Sequence, residues 1–599
     1  MSELLKPPGR ILIGPVYYPT LLGRYAHHPD IKCFYPGMAG IYAFCPLETA
    51  DLPRDFSFCL PLDLSYQKAP RLQELWEQLP PDWQPDILIW WGLYFPLPDD
   101  FDTCPCKRYL IVSDWHPYLP ILKRYLPFFD GVFGDRALLE LLPGWGYKKA
   151  QYWTAYSYAP EDIVGLPDPP PVRDIDIAFV GNLNPRLHSQ RSQYLRRLAA
   201  LSDRYRVVIQ PKLYGPLYFK LFQRSRIVFN HSLRGEMNLR AYEAPACGAL
   251  VMMESDNLEI RDILVPDQEC VLYTAENFED QIHALMADPD RCAAIAARGQ
   301  QKIQQYCWER QFERLFDLLE PGLSAVALTE PVETPLALRA QYASTTDVRL
   351  WHQQMTDHVL AALLRSETTD PLLLNNWLVL RADQSGREVL SPQWLKVIQD
   401  AHNPLLPYNL AWFYLMQQDF DRVEAPMLQA LLQLSDPAFE MPALAGWLVL
   451  PLGYSGLHIS WLRYWESPTE QPERQRRHLL AAGLYALCMS HLQLGRYADA
   501  RQAFAQSVAL IADWPEVWQV GAGLLLKLQD LAALVPVLEQ VIARGVFYPH
   551  AWLLLIELLA DAEPERARLL LREARCLFQS DEFAQQHSAF ELLSQRLAV

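Results

Sequence analysis

The chain has 599 residues, of which 50% are hydrophobic and 21% charged, and its formal net charge is −17. That length exceeds a single hydrophobic core and predicts three or four domains at roughly 150 residues each, in an ordinary globular composition. The acidic balance argues against tight binding to nucleic-acid backbones or anionic membranes, which need a clustered basic excess.

The opening MSELLKPPGRILIGP lacks a basic stretch leading into a long apolar run, and nowhere do about 18 apolar residues follow without interruption. Neither a signal peptide nor a membrane span is expected, and the expected location is the cytoplasm. The 11 cysteines are scattered, and the closest pair, Cys104 and Cys106, lacks the CxxC spacing of a zinc site. Reduced, buried thiols are the expected state.

In chain order, RILIGPVYY, DILIWWGLYF and KRYLIVSDWH are short apolar runs ending in polar or turn residues, as buried parallel strands do. Helical stretches lie between or after them at Arg71 to Gln78 and Ile121 to Tyr125. Strands alternating with helices predict a doubly wound α/β domain over residues 1–160. The run Ala159 to Arg173 holds five prolines and is read as an interdomain linker with neither helix nor central strand.

A second α/β domain is predicted over 174–320, with strands DIAFVG at 176–181, RVVIQ at 206–210, RIVFN at 226–230, ALVMME at 249–254 and CVLYT at 270–274. Helices are predicted at Ser189 to Leu201, Leu239 to Cys247 and Phe278 to Met286. Two such domains in tandem place a cleft where the carboxyl ends of both sheets meet.

After a linker at 320–335, amphipathic helices fill 345–599. Phe504 to Leu538, Val508 to Ile542 and Pro515 to Pro549 are each 34 residues apart, and Gly495, Tyr497, Ala500, Phe504 and Pro515 follow the order of a tetratricopeptide repeat. This resembles a tetratricopeptide-like all-α domain, expected to fold separately and to hold a protein partner or acceptor. An earlier partial copy spans Asn409 to Pro437, and 438–477 interrupts the array.

The stretch IVFNHSLRGEMNLRAYEAPACGALVM at 227–252 presents Glu236, Asn238, Arg240, Tyr242, Glu243, Cys247 and Gly248 in order. An acidic residue, Asn-x-Arg, then an aromatic-Glu-x-x-x-Cys-Gly resembles the donor-binding region of GT-B glycosyltransferases, especially the CgeB-like spore-maturation and family-4-like groups. CWERQFERL at 307–315 resembles their closing helix, which crosses back onto the first domain.

The resemblance implies two Rossmann-like domains and transfer from a nucleotide-diphosphate sugar, with retention and with no metal or other cofactor. It implies that Glu243 holds the ribose and that Glu236 and Asn238 lie near the sugar and phosphates. Chemically, a carboxylate accepts from paired ribose hydroxyls, and unpaired N–H groups at a helix start suit a diphosphate.

Two departures stand out. Six residues separate Glu236 from Glu243 where many family-4-like members have seven, and Asn182 replaces an Arg after the Gly181 turn. Arg186 or Arg191 could supply that guanidinium, with Lys212 as a further cation. In the first domain SDWH ends a strand and places Asp114 and His116 at the cleft edge; the resemblance puts His116 near the reacting sugar.

The Asp-x-Asp pairs Asp174/Asp176 and Asp288/Asp290 are expected to face away from the cleft. Two other readings remain open from these residues: a catalytically inactive scaffold working through its repeats, and a nucleotide-sugar epimerase on the same fold.

Overall fold

The computed structural model of the chain describes residues 4–17, 19–37, 56–64, 71–93, 95, 97–98, 100–115, 122–123, 125–164, 172–183, 188–211, 213–233, 235–324, 371–382, 390–436, 438–439, 449–450 and 471–598. The first domain is built on a seven-stranded parallel sheet ordered β3-β2-β1-β4-β5-β6-β7. Its strands are β1 (Ile11–Gly14), β2 (Ile31–Tyr35), β3 (Cys59–Pro61), β4 (Ile87–Trp91), β5 (Lys107–Ile111), β6 (Gly131–Gly134) and β7 (Ala150–Tyr152). Central β1 and β4 are buried along their whole length, as expected of strands covered on both faces. The order reverses direction between β1 and β4, the doubly wound topology.

The helix α1 (Arg136–Leu141) follows β6, and α2 (Pro160–Val164) follows β7. The proline-rich segment after Ala159 therefore contains one short helix that the sequence reading denied it. Pro160 opens that helix, where a missing N–H costs nothing. Residues 165–171 of the expected linker lie outside the described ones.

The second sheet is parallel and ordered β12-β11-β10-β8-β9. Its strands are β8 (Ile175–Val180), β9 (Val207–Gln210), β10 (Ser225–Phe229), β11 (Leu250–Glu254) and β12 (Val271–Tyr273). Helices α3 (Ser189–Ala200), α4 (Gly215–Arg224) and α5 (Leu239–Ala246) join them, and α6 (Trp308–Phe316) closes the domain. Trp308, Phe312, Leu315 and Phe316 of α6 are buried in one cluster with Ile11, Ile89, Trp91 and Trp153 of the first domain. Glu309 on this helix takes two bonds from Arg24, at 2.6 and 2.8 Å. The closing helix thus crosses back as the resemblance implies, and the chain beyond it is pinned to the start of β5: Lys107 N donates to Gly322 O at 2.8 Å and Ser324 Oγ donates to Asp130 at 2.7 Å.

Every element among the described residues of 371–597 is a helix. Pro515 and Pro549, 34 positions apart, each sit in the first turn of a helix, Pro515–Lys527 and α7 (Pro549–Leu559). Gly521 faces the Phe504 ring of the preceding helix so closely that a Cβ there would overlap it. Most of the interrupting segment 438–477 lies outside the described residues.

The helices do not stand apart from the α/β domains, contrary to the sequence expectation. Trp552 of α7 and Leu571, Ala574 and Leu577 of α8 (Pro564–Leu577) share one buried cluster with Leu195, Leu198, Val207 and Ile209 of the second domain. Arg196 on α3 bonds Glu573 at 3.1 Å and stacks 5.0 Å from the Trp552 ring. The partly exposed ion pair contributes at most about 1 kcal/mol, whereas each fully buried large apolar side chain contributes about 1.5–3 kcal/mol. Apolar burial therefore holds this dock. Amphipathic periodicity shows that a helix buries a face but not against what, which is why the dock was invisible in the sequence.

Candidate active site at the switch point of the second sheet

Strands β8 and β10 are neighbours from which the chain departs in opposite directions, so a crevice opens outside their carboxyl ends. Asn238 caps α5, its side-chain oxygen accepting from Ala241 N at 3.3 Å. That cap sets the first turn so that Arg240 lies over the strand ends. Arg240 Nε donates to Val180 O at 2.8 Å, and Nη1 donates to the Asn230 side-chain oxygen. Its Nη2 occupies the space a Cβ at residue 181 would take, so Gly181 is required by the close approach of a guanidinium.

Arg191, in the first turn of α3, reaches the same place. Its Nε and Nη2 donate to His231 O at 2.9 and 2.7 Å. The Phe179 ring lies 4.4 Å from the Arg240 guanidinium and 5.8 Å from that of Arg191. His231 Nδ1 and Asn230 O both meet the Tyr273 hydroxyl, at 2.8 and 2.9 Å, which braces the loop after β10.

Both arginines are buried, at 8% and 7% exposure, and their hydrogen bonds go to neutral carbonyl and amide oxygens. Burial lowers the pKa of both; that of Arg191 falls to about 9, with repulsion from Arg240 adding to the effect. Two buried cations with no carboxylate bonded to them among the described residues are costly unless an anion completes them.

The carboxylates of the described residues around this pair do not bond it. Glu243 accepts from the Tyr218 hydroxyl at 2.6 Å, and burial pushes its pKa up to about 7. Glu236 accepts from Leu233 N at 3.1 Å and is also raised to about 7, by burial first and Asp135 second. Glu254, at the end of β11, takes Ser232 N at 3.1 Å, Ser232 Oγ and Asn257 Nδ2 at 3.0 Å on one oxygen, while its other oxygen is buried without a partner.

The facing rim belongs to the first domain. Asp114 follows β5 at a φ of 46°, a left-handed conformation uncommon for a residue other than glycine, and accepts from the Tyr156 hydroxyl at 3.1 Å. Asp135 caps α1 through Leu138 N at 2.7 Å and accepts from Trp115 Nε1, also at 2.7 Å; burial raises its pKa to about 7. Glu259 ties the domains together, taking Met237 N at 2.8 Å and Arg136 N at 3.0 Å, and Arg136 also bonds Asp262.

Gly181, Glu236, Asn238, Arg240 and Glu243 are therefore gathered around the carboxyl ends of β8 and β10. His116, Arg186 and Lys212 lie outside the described residues. Asp174 and Asp176 sit at the amino end of β8, paired with Arg206, Arg224 and Arg226, and Asp288 caps the next helix, so neither Asp-x-Asp pair faces the crevice. The sequence reading missed Glu254, whose only signal is an acidic residue closing an apolar strand, and the burial of Arg191.

Residues 172–317 match the family described as glycosyl transferase-like. The second domain is that of a glycosyltransferase. No curated protein matches the chain. Among solved structures, sucrose-phosphate synthase from Thermosynechococcus elongatus is 14% identical with a TM-score of 0.34, over 51% of this chain and 97% of the synthase. A putative UDP-N-acetylglucosamine 2-epimerase from Listeria monocytogenes is 14% identical with a TM-score of 0.31, over 53% and 99% of the two chains. The pneumococcal O-GlcNAc transferase GtfA is 12% identical with a TM-score of 0.28, and the match spans 39% of this chain and only 56% of GtfA. Among the described residues no helix of this glycosyltransferase is long and apolar enough to cross a membrane.

Proposed function

We propose that the chain is a CgeB-like, family-4-like GT-B enzyme. It moves a sugar from a nucleotide-diphosphate sugar to an acceptor hydroxyl of a protein or surface glycan, with retention and without a metal or other cofactor, in the cytoplasm. The observation that carries this reading is the pair of buried guanidiniums, Arg191 and Arg240, at the switch point, with no carboxylate of a described residue bonded to either. A diphosphate supplies the missing charge, and guanidinium donors suit phosphate oxygens.

When the bond from the anomeric carbon to the diphosphate oxygen breaks, negative charge develops on the leaving diphosphate. Fixed cations at that point stabilise it without reorganisation. Arg240 Nη2, which lies over Gly181 and bonds no described residue, is the donor placed for this. In this reading Glu243 holds the ribose, Glu236 faces the donor sugar and Asn238 fixes the helix start. Arg186 and Lys212 add phosphate contacts, and His116 stands by the reacting sugar. The tetratricopeptide-like helices hold the protein partner or acceptor.

The test is a thermal-shift screen of ADP, GDP, UDP, CDP and TDP against their nucleosides. A diphosphate at 100 times its Kd raises stability by about 2.7 kcal/mol, and at least one should protect where its nucleoside does not. Protection by none of the five would sink the donor reading.

A further inference from the structure

Glu243 is held by a tyrosine hydroxyl from another helix. Tyr218 lies on α4, its ring packed 4.4 Å from Phe222 and 5.1 Å from Phe219, and its hydroxyl donates to Glu243 Oε2 at 2.6 Å. Glu243 Oε1 takes no hydrogen bond from a described residue. We propose that Tyr218 is the positioning residue of the ribose subsite, pinning one oxygen of Glu243 so that the other meets the ribose hydroxyls; this rests on the donor reading above.

The surroundings make that bond consequential. Asp162 on α2 repels the Glu243 carboxylate, Arg240 one turn earlier on α5 attracts it, and the Cys247 thiol lies close by. Burial dominates and raises the carboxyl's pKa to about 7, while the Tyr218 hydroxyl acts in the opposite direction, favouring the ionised form. A protonated Glu243 presents a donor where the ribose needs an acceptor. Ribose-dependent binding should therefore be present above the folded value and lost as the pH falls through it. Without the Tyr218 hydroxyl that loss begins at higher pH.

The experiment uses the full-length chain and its Tyr218→Phe variant, which keeps the ring and its packing. Affinity is measured between pH 6 and 9 for the ribonucleoside diphosphate that best protects the wild type and for its 2′,3′-dideoxy counterpart. The variant should bind the ribo form about two- to tenfold more weakly at pH 7, with its pH midpoint moved upward and the deficit shrinking toward pH 9. The dideoxy form should bind both proteins alike at every pH. Equal weakening of both forms would reduce Tyr218 to a packing role and overturn the proposal. With ribo-over-dideoxy discrimination intact, an unmoved midpoint overturns the Tyr218 step alone. A wild type that binds ribo and dideoxy forms equally removes the ribose role from Glu243 and overturns the proposal through its premise.

Discussion

Where the strands of the first sheet end, the rim carries Asp114 and Asp135; where those of the second end, it carries Arg191 and Arg240, with Glu236, Glu243 and Glu254 around them. The same doubly wound architecture thus yields one rim of hydrogen-bond acceptors and another with a buried cationic centre. A crossover helix placed over the strand ends decides the difference: α5 delivers Arg240 onto the ends of β8 and β10, whereas α1 begins at Asp135 and presents a carboxylate cap. Fold alone does not put the buried cations on one side; the side chains at the helix starts do.

The sharpest way to break that contrast is Arg240→Met. Charge-assisted bonds contribute about 1.5–3 kcal/mol each, so affinity for the protecting nucleoside diphosphate should fall about 100-fold by calorimetry, with the nucleoside much less affected. Equal losses for both would make Arg240 a folding residue.

A milder intrusion is Gly181→Ala. The added methyl displaces the Nη2 end of the Arg240 guanidinium, not backbone, so the diphosphate should lose about tenfold in affinity while the fold is kept. Unchanged binding would mean that Nη2 does not meet the phosphate.

Acidity offers a comparison within one titration. Asp135 on the first rim and Glu236 and Glu243 on the second are all raised to about 7, chiefly by burial, whereas unfolded carboxyls titrate near about 4. Raised folded values mean that the folded protein binds these protons more tightly. The stability they contribute is full below about pH 4 and is lost as the pH rises to about 7. The ligand-free Tm should fall between about pH 5 and 7.5, and Asp135→Asn should flatten that fall. A Tm that climbs through this window in the wild type would contradict the burial of these groups.

The smallest effects belong to the rim facing the cations. Arg136→Ala breaks a half-exposed pair with Asp262 and should cost at most about 1 kcal/mol in denaturant unfolding. Asp114→Asn should leave nucleoside diphosphate affinity within about twofold, since the proposed diphosphate site lies on the other domain. A larger change would show the phosphates reaching across the cleft.

Much of the second domain was legible because each of its five strands carries an apolar run of at least three residues, and the Asn238 to Gly248 pattern marked the crevice. In the first domain β2, β3, β6 and β7 escaped notice: β3 and β7 have only three residues each, and the four carry Lys32, Pro61, Gly131 and Gln151, as strands toward a sheet's edge can. Arg191 stood in the sequence as one candidate phosphate cation, with Arg196 and Arg197 close behind it, and Phe179 and the His231 carbonyl, not visible from the sequence, make it a buried one. Glu254 likewise acquires its meaning from Ser232 and Asn257.

The dock of α7 and α8 on the second domain sets a schedule for biosynthesis. Arg196 and Glu573 are 377 positions apart, so at about 5–20 residues per second a ribosome takes about 20–75 s to supply the partner of a helix already made. During that interval the side of α3 that carries Arg196 waits uncovered, beside the turn that delivers Arg191. The nascent enzyme therefore passes through a stage in which its cationic centre has formed but one wall of the domain is still an open apolar face, the period when a holding chaperone has most to do.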